Sequence, residues 1–223
     1  MIDRMSADAA IAVFIEAGCR RVFASALDWP GWARSGKTED LAVAALADYL
    51  PRYAPIVALA RLRPPEGALA ITERHPGQAR NADFGALGEL APSDSRPLAA
   101  AEGARHAVLL AAAWAAFDEV AAAAPAQLRK GPRGGGRDTA QIVDHVLSAE
   151  AVYARKVGVP RPAKGDSPAA AVAALRQATI AALHEPSSLP TPPGGWPLRT
   201  AARRMAWHVL DHLWEIEDKT GPA

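Results

Sequence analysis

Apolar and polar positions divide this chain into two regimes. Near its start, "AIAVFIEAG" (10–18) and "CRRVFASAL" (19–27) are short β-rich runs separated by the turn signal at Gly18, a pattern that predicts a β-hairpin. "DWPGW" follows, where Pro30-Gly31 fits a turn with positive φ at the glycine. In "SGKTEDLAVAALADYL", Thr38 reads as a helix N-cap, with Glu39 and Asp40 in the first turn where the helix dipole favours acids. Pro51 and Pro55 interrupt or restart that helix. "ALAITERHPG" reads as a further strand and "NADFGALGELAPSDSRP" as loop, which places a boundary near residue 95.

Beyond that boundary the spacing becomes helical. One segment runs from about Pro97 to Ala124, closed by Pro125, and a second from about Asp138 to Val157, after "GPRGGGRD". A third starts with Ser167 as cap and Pro168 at the first helical position, and ends before Pro186. The last runs from about Pro197 to Lys219. Four long helices with apolar stripes predict a four-helix bundle. The fold class is therefore α+β: a small N-terminal ββα unit (1–95), then the bundle (96–223). "TAQIVDHVLSAE" (139–150) and "TAARRMAWHVLDHLWE" (200–215) both carry "HVL" after a Thr-Ala start, a shared design for the second and fourth helices.

Composition narrows the partners. Half the chain is apolar, which is enough for a sizeable core, although alanine supplies much of it and buries little area per residue. With 25 basic and 24 acidic residues the formal charge is +1, which argues against duplex DNA or an anionic membrane as partner. Arg20, Arg21, Arg34 and Lys37 are too few, and too offset by acids, for an RNA-binding face. The single Cys19 excludes an internal disulfide and fits a reducing compartment. The N-terminus mixes acids into its apolar run, unlike a signal peptide, and "AVLLAAAWAAF" (107–117) is too short to span a bilayer. The expectation is a cytoplasmic protein.

The chemistry concentrates in "WHVLDHLWEIED" (207–218). Residues four apart on a helix lie about 6 Å apart on one face, so His208 and His212 can aim at one point. Asp211 and Glu215 share that side and can orient an imidazole from behind. The larger apolar set, Leu198, Ala202, Val209, Leu213 and Ile216, lies on another arc, so the pair also fits a polar, solvated face. His145 weighs against that reading. It shares a stripe with Ile142, Ala149 and Val152, and a bundle interior can bring it to the pair. Three imidazoles with one open position are the donor set of a reactive metal site. Ligand type leaves zinc, nickel, iron, manganese or copper open. His75, His106 and His184 are read as structural.

"LRKGPRGGGRD" (128–138) leads into the His145 helix. Its glycines, with Lys130, Arg133 and Arg137, make it either an anion-binding loop at a helix N-terminus or a surface connection. Trp29, Trp32, Trp196, Trp207 and Trp214 are expected to pack the N-terminal unit onto the bundle.

Residues 95–223, through the four-helix pattern, "DHVLSAE" and "HVLDH", resemble the DinB/YfiT-like family. That resemblance implies a bundle holding a divalent ion, with the ligand positions falling on His145, His208 and His212. It also implies, for some relatives, transferase or isomerase reactions that use a low-molecular-weight thiol. Residues 10–60, through "VFASALDWPGWARSGKTEDLAVAALADYL", are similar to the HicB-like ββα unit. No ribbon or helix-turn-helix segment accompanies it, so the similarity implies a fold and not an antitoxin role. Two functions follow. The first is a metal-dependent thiol S-transferase or hydrolase-like enzyme, in which the glycine-rich loop catches the carboxylate of a thiol cosubstrate. The second is a non-catalytic binding or regulatory protein that forms a homodimer through its N-terminal sheet.

Overall fold

The computed structural model describes residues 10–131, 135–163, 165–185 and 191–220. Its N-terminal half builds a four-stranded sheet from β1 (Ile11–Ala17), β2 (Val22–Ala26), β3 (Ala33–Gly36) and β4 (Leu69–Arg74), in the order β3-β2-β1-β4. The predicted hairpin is β1–β2, antiparallel with Val13 opposite Ala26 and Ile15 opposite Ala24. "DWPGW" is a second hairpin turn rather than the end of the sheet, because the chain pairs back as β3. Gly31 there has φ +95°, and a Cβ at that position would lie 2.6 Å from Leu210. Only glycine serves both the turn and the close approach. Helices α1 (Glu39–Asp48) and α2 (Leu50–Leu59) then cross the sheet, and β4 joins β1 in parallel at the far edge. Thr38 caps α1 by accepting from the Leu41 amide.

Strand alternation assigns the two faces of the sheet. Val13, Ile15, Val22, Ala24 and Ala26 meet Leu46, Tyr53, Ile56 and Val57 of α1 and α2. The opposite side chains, Phe14, Glu16, Phe23 and Ser25, are also buried, under residues 79–95 and the last helix. This segment holds the short helix α3 (Arg80–Asp83) and a 3-10 turn at Pro92–Ser95.

Four long helices complete the chain: α4 (Ala100–Ala123), α5 (Thr139–Lys156), α6 (Pro168–His184) and α7 (Leu198–Thr220). They close a cycle, with α4 packed on α7 and α6, and α5 packed on α7 and α6. Gly103 lets α4 reach the Leu183 carbonyl of α6, 2.1 Å from where a Cβ would stand. Helix α4 is longer than its apolar run. At 24 residues with a mean hydropathy of 1.3 in its most apolar window, it passes a length-and-composition test for a membrane span. Its buried residues nevertheless include Leu109, Leu110, Trp114 and Phe117, and it packs on α2, α6 and α7, as a core helix does.

Helix α7 is the centre of the molecule, buried almost all round from Arg199 to Ile216. Two of its arginines are accommodated by partners from distant parts of the chain. Arg199 pairs with Glu102, and Arg203 reaches the two Asp94 oxygens at 2.8 and 2.6 Å. Asp94 also accepts from Thr200 at 2.6 Å and from the Ala91 amide at 2.8 Å. The change in secondary structure near residue 95 is therefore not a gap in packing, and one apolar cluster runs from the sheet into the bundle. Three tryptophans make that junction as expected, Trp29 by carrying the Arg105 guanidinium of α4 3.9 Å from its ring centre. Trp207 meets Phe23 of β2 edge-on at 5.7 Å, and Trp214 meets Tyr49 at 5.1 Å. Trp29 and Trp32 pack on Tyr53 within the N-terminal half, and Trp196 goes elsewhere, onto Tyr153 of α5.

Candidate metal centre

His145 comes from α5 and His208 and His212 from successive turns of α7, and these two helices are neighbours in the bundle. One ring nitrogen from each lies within 4.8 Å of the other two. The Nε2 atoms of His145 and His208 are 3.1 Å apart. The three ring centroids are separated by 5.0, 4.9 and 4.7 Å, with tilted or edge-on planes, so the nitrogens converge while the rings do not stack.

Two features of the sequence reading change. The pair on α7 is not on a solvated face, since His208 is 8 % and His212 9 % exposed. Helix α7 has no broad solvent side, because the sheet covers one side and the other helices the rest. On α5 the buried stripe is Ile142, Val146, Glu150 and Ala154, one position round from Ile142, Ala149 and Val152, and Val152 is 42 % exposed. Glu150 disguised the stripe. It is buried because Arg176 of α6 binds both its oxygens, at 2.9 and 3.0 Å. His145 consequently stands at the flank of the stripe, half-buried, where its ring reaches α7.

Behind the trio, the His212 Nδ1–H donates to Glu215 Oε2 at 2.7 Å, and Lys219 holds the other Glu215 oxygen. That bond leaves the His212 Nε2 lone pair free, the tautomer a metal requires. Burial opposes ionisation of Glu215, but the bonds from Lys219 and His212 outweigh it and keep its carboxyl below the usual range. Asp211, the other acid of the motif, points away and pairs with Arg34 at 3.2 Å. Burial drives His208 down to about 3, helped by the positive potential of His212, His145, Arg204 and Arg137. His145 is lowered for the same reasons, burial first. Both are neutral at physiological pH, so a cation bound there would not have to displace a proton from either.

The glycine-rich loop contributes unevenly. Lys130 is committed to Asp138 at 2.5 Å and to the Gly136 carbonyl. Arg137 is exposed at the head of α5, and its charge reaches His145 and His208. Arg133 lies outside the described residues. Tyr153, against the trio, and Arg204 and Trp196, which pack on Tyr153, carried no signal of a site in the sequence. Tyr153 meets the His208 ring edge-on at 5.6 Å, and Trp196 packs on Tyr153 at 5.3 Å. The other three histidines remain outside the centre. His75 lies 3.8 Å from Glu89, His184 is exposed at the end of α6, and His106 is buried in α4 with neither ring nitrogen bonded. An open apolar groove between α1 and β4 carries a single charged lining residue, Asp40, and no cluster of ligands.

The chain matches no family model, no curated protein and no solved structure in comparisons with each.

Proposed function

We propose that His145, His208 and His212 hold a divalent metal ion and that the protein is a metal-dependent enzyme of the DinB class, a thiol S-transferase or hydrolase-like catalyst. The observation that supports it is the convergence of three imidazole nitrogens within 4.8 Å, one of them fixed in the ligand tautomer by Glu215. Structural zinc sites are normally closed by four protein ligands, whereas three leave a position for a reactant. An ion there supplies Lewis acidity, lowering the pKa of a thiol or a water at the open position. The chain's own residues do the rest. Glu215 fixes the His212 ring, Tyr153 packs edge-on against His208, and burial keeps His208 neutral.

Cobalt(II)-loaded protein titrated with 2-mercaptoethanol tests this reading. A sulfur-to-cobalt charge-transfer band that saturates with thiol is the expected result. Cobalt uptake with no such band, at any thiol concentration, would contradict an open position that accepts a thiol.

A further inference from the structure

Arginines on α7 are otherwise tied to acids. Arg199 is fixed by Glu102 and Arg203 by Asp94. Arg204 differs. Its side chain takes no hydrogen bond or ion pair among the described residues, and its Nε is buried without a partner. What holds it is aromatic: the guanidinium carbon lies 5.1 Å from the Trp196 ring centre and 5.4 Å from that of Tyr153. Such faces position a guanidinium without using its N–H donors. Arg204 also lies four residues before His208, on the same face of α7 and about 6 Å along it. Tyr153 touches both, so Arg204, Tyr153 and His208 line one continuous wall. Glu16 feels the charge of Arg204, but its carboxylate accepts from the Gly88 and Glu89 amides at 2.9 and 3.0 Å, and no bond joins the two side chains. Arg137, across the trio, is a second cation without an ion pair among the described residues.

We infer that Arg204 is the recognition point for the carboxylate of a small anionic ligand whose other end lies at the histidine trio. Arg204 is only half-buried, and its terminal N–H donors carry no partner among the described residues, so a planar carboxylate can take two parallel N–H···O bonds from them. Trp196 and Tyr153 present the fork, and Arg137 adds long-range attraction from the solvent side. The inference rests on the trio being the reactive centre, but the anion subsite itself requires no metal. It moves carboxylate capture from the glycine-rich loop, where Lys130 is already paired, to α7.

The test uses ¹⁵N-labelled, metal-free protein titrated with acetate at an ionic strength fixed with chloride. Six tryptophans give indole N–H resonances, and a Trp196→Phe variant identifies that of Trp196. Saturable movement of this resonance with acetate, and none with the neutral isostere acetamide, is the expected result. Arg204→Gln should weaken acetate at least about tenfold while zinc content stays at the wild-type value. Arg204→Lys, which keeps the charge but loses the fork, should fall between the two. Should Arg204→Gln fail to fold, the acetate–acetamide contrast and Arg204→Lys decide the matter. Equal responses to acetate and acetamide, or an unaltered acetate affinity in either variant, would overturn the proposal. Because the readout is metal-free, neither result depends on whether the trio binds metal, which zinc content reports separately.

Discussion

Two polar networks on α7 are buried in opposite ways. In one, Arg199, Thr200 and Arg203 close on Glu102 and Asp94, so the donors and acceptors satisfy one another. In the other, His208 and His212 converge with His145 of α5, ligand atoms facing each other, and the neighbouring Arg204 makes no hydrogen bond or ion pair among the described residues. A buried network that closes on itself holds structure together, and one that is left open is where a ligand can complete it.

The comparison breaks most severely at Asp94. Asp94→Ala leaves the Arg203 charge buried and unpaired, and should cost about 3–5 kcal/mol in chemical denaturation. His145→Ala should change the stability of metal-free protein by less than about 1 kcal/mol, the ordinary scale for a half-exposed site. If the two variants were equally destabilised, the contrast between the networks would fail. Next in size is ligand stabilisation. Zinc at about a hundred times its dissociation constant should add about 2.7 kcal/mol to the wild type and nothing to His208→Ala, read as a shift in melting temperature. Within the site, Glu215→Gln should weaken metal by about 10–100-fold through loss of the His212 orientation. Asp211→Asn should leave metal affinity unchanged and, as a partly exposed pair with Arg34, cost about 0–1 kcal/mol.

The smallest effect is a dependence on pH. His208, at about 3, and His106, at about 4, bind fewer protons folded than unfolded, where an imidazole titrates near 6.5. Stability from these groups is therefore full above about pH 6.5 and is lost as the pH falls towards 4 and then 3. Glu16 has the opposite sign. Burial pushes it up to about 7 from the ordinary carboxyl value of 4.5, so the folded state holds the extra proton and stability declines as pH rises through that window. Denaturation midpoints should thus flatten at low pH in His208→Gln and flatten between about pH 4.5 and 7 in Glu16→Gln. An unchanged profile in both variants would remove these groups from the account.

The helices of the second half were legible because Pro125, Ser167-Pro168, Pro186 and Pro197 punctuate the apolar runs, and the "HVLDH" spacing itself brought His208 and His212 to one side. What escaped depends on distant partners. Four residues, "ARSG", carry no alternation that would mark β3, and only pairing with β2 makes them a strand. A glutamate inside the α5 stripe reads as surface until Arg176 is known to cover it. The polar face of α7 reads as solvated because Glu102, Asp94 and Arg34 lie 97, 109 and 177 residues away in sequence from Arg199, Arg203 and Asp211. Arg204 had no local signal at all, since its distinction is a guanidinium without a bonded partner among the described residues.

The central claim is that the trio spanning α5 and α7 holds a metal. Elemental mass spectrometry on untagged wild type, beside His145→Ala and His208→Ala, tests it most directly. The account predicts about one divalent ion per wild-type chain, with both variants folded and the ion lost from each. A wild-type protein that stays empty after reloading with zinc, nickel, iron and manganese would contradict it.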